Sequence, residues 1–261
     1  MTRSTWRFLV LLTETNLRAS LSLRAAFLLQ AAFMFLNNLV YFCVWAIFFG
    51  RFHDLGGFGV RDMQLAYGVV AAGFGLCVAL AGGLRDLSRM VVEGALDGYL
   101  TQPKPALAQA LCSRTIASGW GDVASGLLMV FLSRKVSLLH VPYLLVAIAI
   151  SASVFAAAGV IFHSAAFWLG PVDSLARSLW EFLITFSVYP EPIFGGGIRI
   201  LLYTLMPAAF CGFLPARLAE HPTPANFAVA LGGAVLVVYA ALSIFGRGLK
   251  RYESGNQIGA R

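Results

Sequence analysis

Long apolar runs alternate with short polar breaks along the chain, and the lengths of the runs set the reading. Stretches with few or no charges cover about Ala25–Phe49, Leu65–Leu84, Ala106–Leu132, Pro142–Leu169 and Phe227–Phe245. An apolar run of about 20 residues, coiled as a helix, matches the hydrocarbon thickness of a bilayer. Helix is also the state that satisfies every backbone polar group inside lipid. Two shorter apolar pieces lie before the last run. Leu175–Tyr189 carries Arg177 and Glu181, and Ile198–Leu214 is interrupted by Pro207 and Gly212. Between them YPEPIFGGG, Tyr189–Gly197, breaks any helix, and Pro215, Pro222 and Pro224 follow.

Ahead of the first run, residues 4–21 mix apolar residues with Arg7, Glu14 and Arg18, so they do not span. Trp6, Leu9, Val10, Thr13 and Leu17 fall on one face, which predicts an interfacial helix within residues 1–24. The polar break Arg85–Pro105 is the other amphipathic piece. Leu87, Met90, Val91 and Gly94 share a face there at helical spacing. Gly94 and Gly98 weaken the helix, and Pro103 and Pro105 stop it. The pattern predicts a short bounded helix outside the bilayer, either a solvated loop or an element that docks into a partner. Small residues recur at four-residue steps at Ala71, Gly75, Ala79 and Gly83, and again at Ala149, Ser153 and Ala157. Such ridges let another helix approach closely.

Lysine and arginine in the loops give the orientation. Arg3, Arg7, Arg18, Arg24, Arg85, Arg89, Lys104, Arg114, Arg177 and the tail residues Arg247, Lys250, Arg251 and Arg261 fall on one side, thirteen in all. Arg51, Arg61, Arg134, Lys135, Arg199 and Arg217 fall on the other, six in all. Both termini are then cytoplasmic and the number of crossings is even. That makes Leu175–Tyr189 the fifth span and Phe227–Phe245 the sixth. Ile198–Leu214 becomes a re-entrant or interfacial hairpin within an outer segment, 190–225. The expected fold is an all-α membrane protein: a six-helix bundle with an amino-terminal interfacial helix, forming one transmembrane domain over 1–261.

Composition agrees. Of 261 residues 59% are hydrophobic and 12% charged, against about 25% charged in soluble domains. One bundle uses up the chain and leaves no soluble domain of useful size. The net charge of +7 follows from orientation rather than from nucleic acid. Residues 1–24 hold four arginines and Glu14 before a run too long for a signal peptide. Cys43, Cys77, Cys112 and Cys211 lie far apart and read as small hydrophobes, with no disulfide or metal set.

Polar residues inside a membrane are costly, so Asn37, Asn38, Asp122 and Glu181 are candidates for function. Asn37 and Asn38 suit interhelical hydrogen bonds. Asp122 suits either helix contact or a path wall. Arg114 is expected to snorkel to the cytoplasmic interface, and Glu181 to pair with Arg177 four residues earlier. His53, His140, His163 and His221 are scattered, with no HExxH and no defensible nucleophile, so no catalytic or metal site is expected. An ion-coupled secondary transporter is the alternative. It would want more intramembrane carboxylates than Asp122 and Glu181, together with inverted repeats.

Two stretches and two residue pairs carry a family resemblance. They are YFCVWAIFFG (Tyr41–Gly50), EGALDGYLTQP (Glu93–Pro103), and the Gly121–Asp122 and Tyr189–Pro190 pairs. The chain resembles the membrane permeases of ABC-2 type ATP-binding-cassette transporters over nearly its whole length. The second stretch is similar to that family's G-x-L-D-x-x-L-x-x-P pattern, with Gly94, Leu96, Asp97, Leu100 and Pro103 in place. The resemblance implies a permease of an ATP-driven transporter, favouring export, in a bacterial inner membrane. It implies a coupling helix in 85–105 that docks on an ABC ATPase dimer, through Val91, Glu93, Gly94, Leu96, Asp97 and Leu100. A second permease and membrane lipids complete the partners. This chain has no G-x-x-x-x-G-K-[ST] loop, so ATP and Mg belong to the ATPase chain. The substrate is not legible.

Overall fold

The computed structural model of the chain describes residues 3–252; Arg261 of the basic tail lies outside them. Helix α1 (Arg3–Ser22) leads into α2 (Arg24–Phe52). Two short strands, β1 (Asp54–Leu55) and β2 (Phe58–Gly59), then form an antiparallel hairpin. After α3 (Val60–Leu80), a tight helical turn over Gly82–Asp86 introduces α4 (Leu87–Val92) and α5 (Asp97–Leu100). Then come α6 (Ala106–Leu111), α7 (Ser118–Ser133), α8 (Val141–Ser164), α9 (Ala166–Leu169) and α10 (Asp173–Ser187). Three short helices follow, α11 (Gly196–Tyr203), α12 (Ala208–Cys211) and α13 (Phe213–Glu220), before α14 (Pro224–Leu249).

The fold is all-α apart from the small hairpin, and the chain is a multi-pass membrane protein. Four helical stretches are long and apolar enough to cross: Arg24–Phe52, Val60–Leu80, Leu138–Leu169 and Pro224–Leu249. Gly196–Tyr203 with Ala208–Glu220, bent by 61°, makes a fifth if counted as one span. Six full-length spans are not present among the described residues. The expected third span, Ala106–Leu132, is two helices, α6 and α7, separated by residues 112–117. Arg114 in that break reaches Asp86 at 2.7 Å, and Asn16 of α1 donates to the Cys112 carbonyl at 2.7 Å. Polar partners at the membrane edge therefore hold the chain out of helix. At 16 and 15 residues, α7 and α10 rise only about 22–24 Å, short of the ~30 Å core.

Helix α3 is the centre, with 83% of its most apolar window buried, against 22% for α2 and 17% for α14. Its glycines explain the approach of α7. A Cβ on Gly68 would lie 2.6 Å from the Gly126 carbonyl, and one on Gly75 would lie 2.5 Å from that of Gly119. Helix α8 covers another side of α3, and a buried layer of Val154, Phe155, Phe74 and Trp180 joins it to α10. Helix α2 packs on α7, and its Phe42, Trp45 and Phe49 are buried against Met63, Tyr67 and Met129.

Ion pairs join only groups that the charge count puts on the same side. Asp86 with Arg89 and Arg114, and Asp173 with Arg177, lie at one end of the bundle. Lys135 with Asp62 and Glu220, and Glu191 with Arg199 and Arg217, lie at the other. On helix α1 Leu9 turns inward to the protein, whereas Trp6 and Val10 of the same apolar face are exposed, free to meet lipid.

Candidate functional site

The polar break that attracted attention in the sequence is not one helix over Val91–Leu100 but two short ones meeting at a turn. Gly94 makes that turn with φ +77°, a region that favours glycine. The apolar face expected to enter a partner's groove is already used. Leu87, Val91 and Leu96 are buried in this chain's own core. Arg89, Glu93, Ala95, Gly98 and Leu100 remain exposed. Asp97 is half-buried beside Tyr252, whose hydroxyl is pushed up to about 12 by burial and then by the Asp97 charge. Tyr252 also sits edge-on to Phe167 at 6.1 Å, so the carboxyl end of the described chain braces this segment.

A polar chain ties α4 to its neighbours. Buried Ser88 donates from Oγ to Asp173 at 2.9 Å, at the start of α10. Buried His163 near the end of α8 lies with Nδ1 3.0 Å from the same Oγ. The single Ser88 hydroxyl proton goes to Asp173, so His163 Nδ1 is the donor in that contact. Arg177 binds Asp173 at 2.7 Å and the Arg85 carbonyl at 3.2 Å. Arg177 and Ser88 both donate to the Asp173 carboxylate. Arg85 lies over Trp180, 5.9 Å from the ring centroid. Its own pKa is lowered by burial and by the nearby Arg114 and Arg177. The expected pair of Arg177 with Glu181 does not form; Arg177 turns back to Asp173, where both heads meet the polar edge.

Within the bundle, Asn38 Nδ2 donates to Asp122 Oδ1 at 2.7 Å and to Ser125 Oγ at 2.8 Å. Tyr67 donates to the Asn38 backbone and side-chain oxygens at 3.3 Å. The network joins α2, α3 and α7, and Asp122 is 3% exposed, so it is a helix contact. Asn37, expected to share this role, points outward. Glu181 is exposed on α10, and no partner reaches its carboxylate among the described residues.

At the opposite end, buried Glu191 accepts from Arg199 at 2.8 Å, Arg217 at 2.5 Å and Tyr203 at 3.0 Å. Lys135 bridges Asp62 and Glu220. Burial would lower the Lys135 pKa, but the hydrogen bonds it donates to both carboxylates raise it overall. Glu191, Arg217, Lys135, Asp62 and Glu220 line a cavity of about 320 Å³ of mixed polar and apolar wall, with His221 and Asn226. The sequence reading named none of them as a site. The available signal was an acid in YPEP followed by two arginines, Arg199 and Arg217. No group of histidine, cysteine and acidic residues that could hold a metal occurs among the described residues.

The structure defines a helical membrane bundle with a short, braced segment at one end and polar groups inside its spans. The family comparison makes this specific: residues 35–256 match the ABC-2 family transporter protein, and the chain belongs to that family. It is therefore a permease of an ABC transporter system, which works with an ATPase partner. No curated protein and no solved structure matches it in the corresponding searches.

Proposed function

We propose that the chain is the membrane subunit of an ATP-driven exporter, driven by a separate ATPase that binds ATP and Mg, and paired with a second permease. One observation carries the coupling reading. The exposed residues Arg89, Glu93, Ala95, Gly98 and Leu100 sit on a segment whose underside, through Val91 and Leu96, is locked into the bundle. Anything gripping that surface moves the bundle rather than bending a loop. Gly94 and Asp97 act from beneath, as turn and brace.

The test is Arg89→Glu with Glu93→Arg in the reconstituted complex, reading ATPase binding and transport-linked hydrolysis. Both changes sit on the surface and spare the buried anchors. Weak ATPase binding with an intact bundle is expected; unchanged binding and unchanged coupling sink the reading.

The topology belongs to the same proposal. It has α7 and α10 as short spans, both termini cytoplasmic, the inner membrane as location, and α11–α13 as a re-entrant hairpin. Arg199 near the hairpin's start and Arg217 near its end share the single carboxylate of Glu191, which supports both lying on one face. Cysteines placed at 199 and 217 should both react with an impermeant thiol reagent added outside. Labelling from opposite sides refutes the hairpin.

A further inference from the structure

A single residue, Leu23, separates α1 from α2, and an open pocket of about 530 Å³ lies at this elbow. Arg18 and Ser22 of α1 and Arg24 of α2 form its polar wall, and Leu21, Phe27 and Leu28 form its apolar one. Neither arginine is committed to the bundle. Arg24 has no hydrogen bond or ion pair among the described residues, and no acid stands in the first turn of α2. Arg18 reaches Glu14 at 2.5 Å through Nη2, but the two side chains are 77% and 45% exposed. A pair that open is worth little, and the rest of the guanidinium keeps its N–H donors free. Ser22 gives its own proton to the Ala19 carbonyl at 2.7 Å, so the arginines are the donors that the pocket offers. Two arginines against one acid leave it positive.

The place of the elbow narrows the ligand. The apolar run of α2 begins directly after Arg24, and the amphipathic pattern puts α1 in the headgroup layer. Arg18 and Arg24 then lie at headgroup level, on the side that the charge count makes cytoplasmic. The apolar wall does not end at the pocket. Leu29 and Phe33, 56% and 67% exposed, carry it along α2 toward the depth of the acyl chains. The matching ligand has an anionic group at one end and a long apolar chain at the other. A small aqueous anion would meet the arginines and leave Leu21, Phe27 and Leu28 in contact with nothing. A zwitterionic headgroup would bring its own ammonium against two guanidinium groups.

We propose that the α1–α2 elbow is a binding site for an anionic phospholipid of the membrane. Arg18 and Arg24 hold the phosphate, and one acyl chain lies over Leu21, Phe27 and Leu28. This requires α1 to lie in the headgroup layer. Guanidinium groups bind phosphate oxygens through charge-assisted bonds, and basic pockets at the membrane surface take such headgroups. The two arginines come from opposite sides of Leu23, so the bound lipid ties α1 to α2 and fixes the angle between them.

The experiment places the full chain in phosphatidylcholine nanodiscs doped with a photoreactive phospholipid whose diazirine sits near the glycerol. Peptide mass spectrometry maps the adducts. A phosphatidylglycerol probe should label residues 18–28, and a phosphatidylcholine probe with the same chains should label them far less. Arg18→Gln and Arg24→Gln should each lower the anionic labelling about fivefold, and together about 30-fold. Arg18→Lys with Arg24→Lys keeps both charges and should retain most of the labelling. Arg7→Gln changes an exposed arginine of α1 outside the pocket and should leave it unchanged. Equal labelling by the two probes, or an equal loss in Arg7→Gln, shows only a general surface charge and overturns the proposal. Inorganic phosphate tests the aqueous source. If it blocks labelling where sodium chloride of equal ionic strength does not, the pocket takes free phosphate and the lipid assignment falls. Adducts along α1 that avoid 18–28 keep the helix at the interface and overturn the site. Absence of adducts anywhere on α1 overturns the interfacial placement and the site with it.

Discussion

Glu191→Ala should free the α11–α13 segment while leaving the bundle folded. The carboxylate is 8% exposed and accepts from Arg199, Arg217 and Tyr203. A charge-assisted hydrogen bond is worth about 1.5–3 kcal/mol when well sheltered. The Arg199 guanidinium lies in solvent and its bond contributes little. The Arg217 side chain is 50% exposed, so screening cuts its bond to about 0.5–1 kcal/mol. The tyrosine bond adds about 1 kcal/mol. The sum of these two, about 1.5–2 kcal/mol, corresponds to a roughly 10- to 30-fold rise in local opening. Amide hydrogen exchange of the detergent-solubilised protein reads this directly over 196–220. Exchange there should accelerate by that factor, while the buried amides of α3 stay protected. Glu191→Gln, which keeps an acceptor but loses the charge, should fall between. Salt separates the charge contribution from the shape contribution. Near 1 M the screening length drops to about 3 Å, so wild-type exchange should move toward the variant while the variant's own exchange barely changes. Equal exchange over 196–220 in wild type and Glu191→Ala would show that packing alone holds the hairpin.

Gly75→Leu should cost well over about 1–3 kcal/mol, because its Cβ would press on the Gly119 carbonyl, whereas Gly232→Leu, at a site with open space, should be tolerated; equal thermal midpoints for the two would discount the glycine contact. Asn38→Leu should destabilise by about 1–3 kcal/mol by stranding Asp122 and Ser125, and Asn38→Leu with Asp122→Leu should cost less than the sum; strict additivity would mean the network carries no coupling. Lys135 has its pKa raised above the usual 10.5, so its stabilisation is complete below that pH and is lost as pH rises through the raised value. Lys135→Met should flatten the alkaline limb of thermal stability, and an unchanged limb argues against the staple.

Spans without internal charges were legible because length and hydropathy need no partner information. Ala25–Phe49 and Pro142–Leu169 became α2 and the α8–α9 stretch with small shifts at the ends. The break at 112–117 escaped that logic. Hydropathy over Ala106–Leu132 averages across it, and what opens the helix is contact with Asn16 and Asp86, far off in sequence. Gly94 was recognised as a weak point but not as a left-handed turn, so one helix was expected where two stand. Asn38 and Asp122 were each marked as polar and intramembrane. Their pairing across 84 positions depends on helix register, which a single sequence does not encode. Arg177 had acids four residues away on either side, Asp173 and Glu181. Depth decides between them, since a pair at the polar edge avoids desolvating both heads.

The attachments of α10 argue for where a cytoplasmic push would go. At its inner end Asp173 is bound by Ser88 of α4, and Arg177 holds the Arg85 carbonyl just before α4. At its outer end the chain runs through Pro190 into Glu191, which clasps the hairpin arginines. Between these ends it is fixed to α8 by Trp180, whose indole donates to the Phe155 carbonyl at 3.1 Å. An element with polar links at both ends and a packed middle transmits displacement as a unit. Helix α14, with 17% of its most apolar window buried, lacks comparable ties. The link that would engage α10 is Ser88, one hydroxyl on the segment proposed to meet the ATPase. A push on Ser88 would therefore be carried along the whole of the 15-residue helix α10.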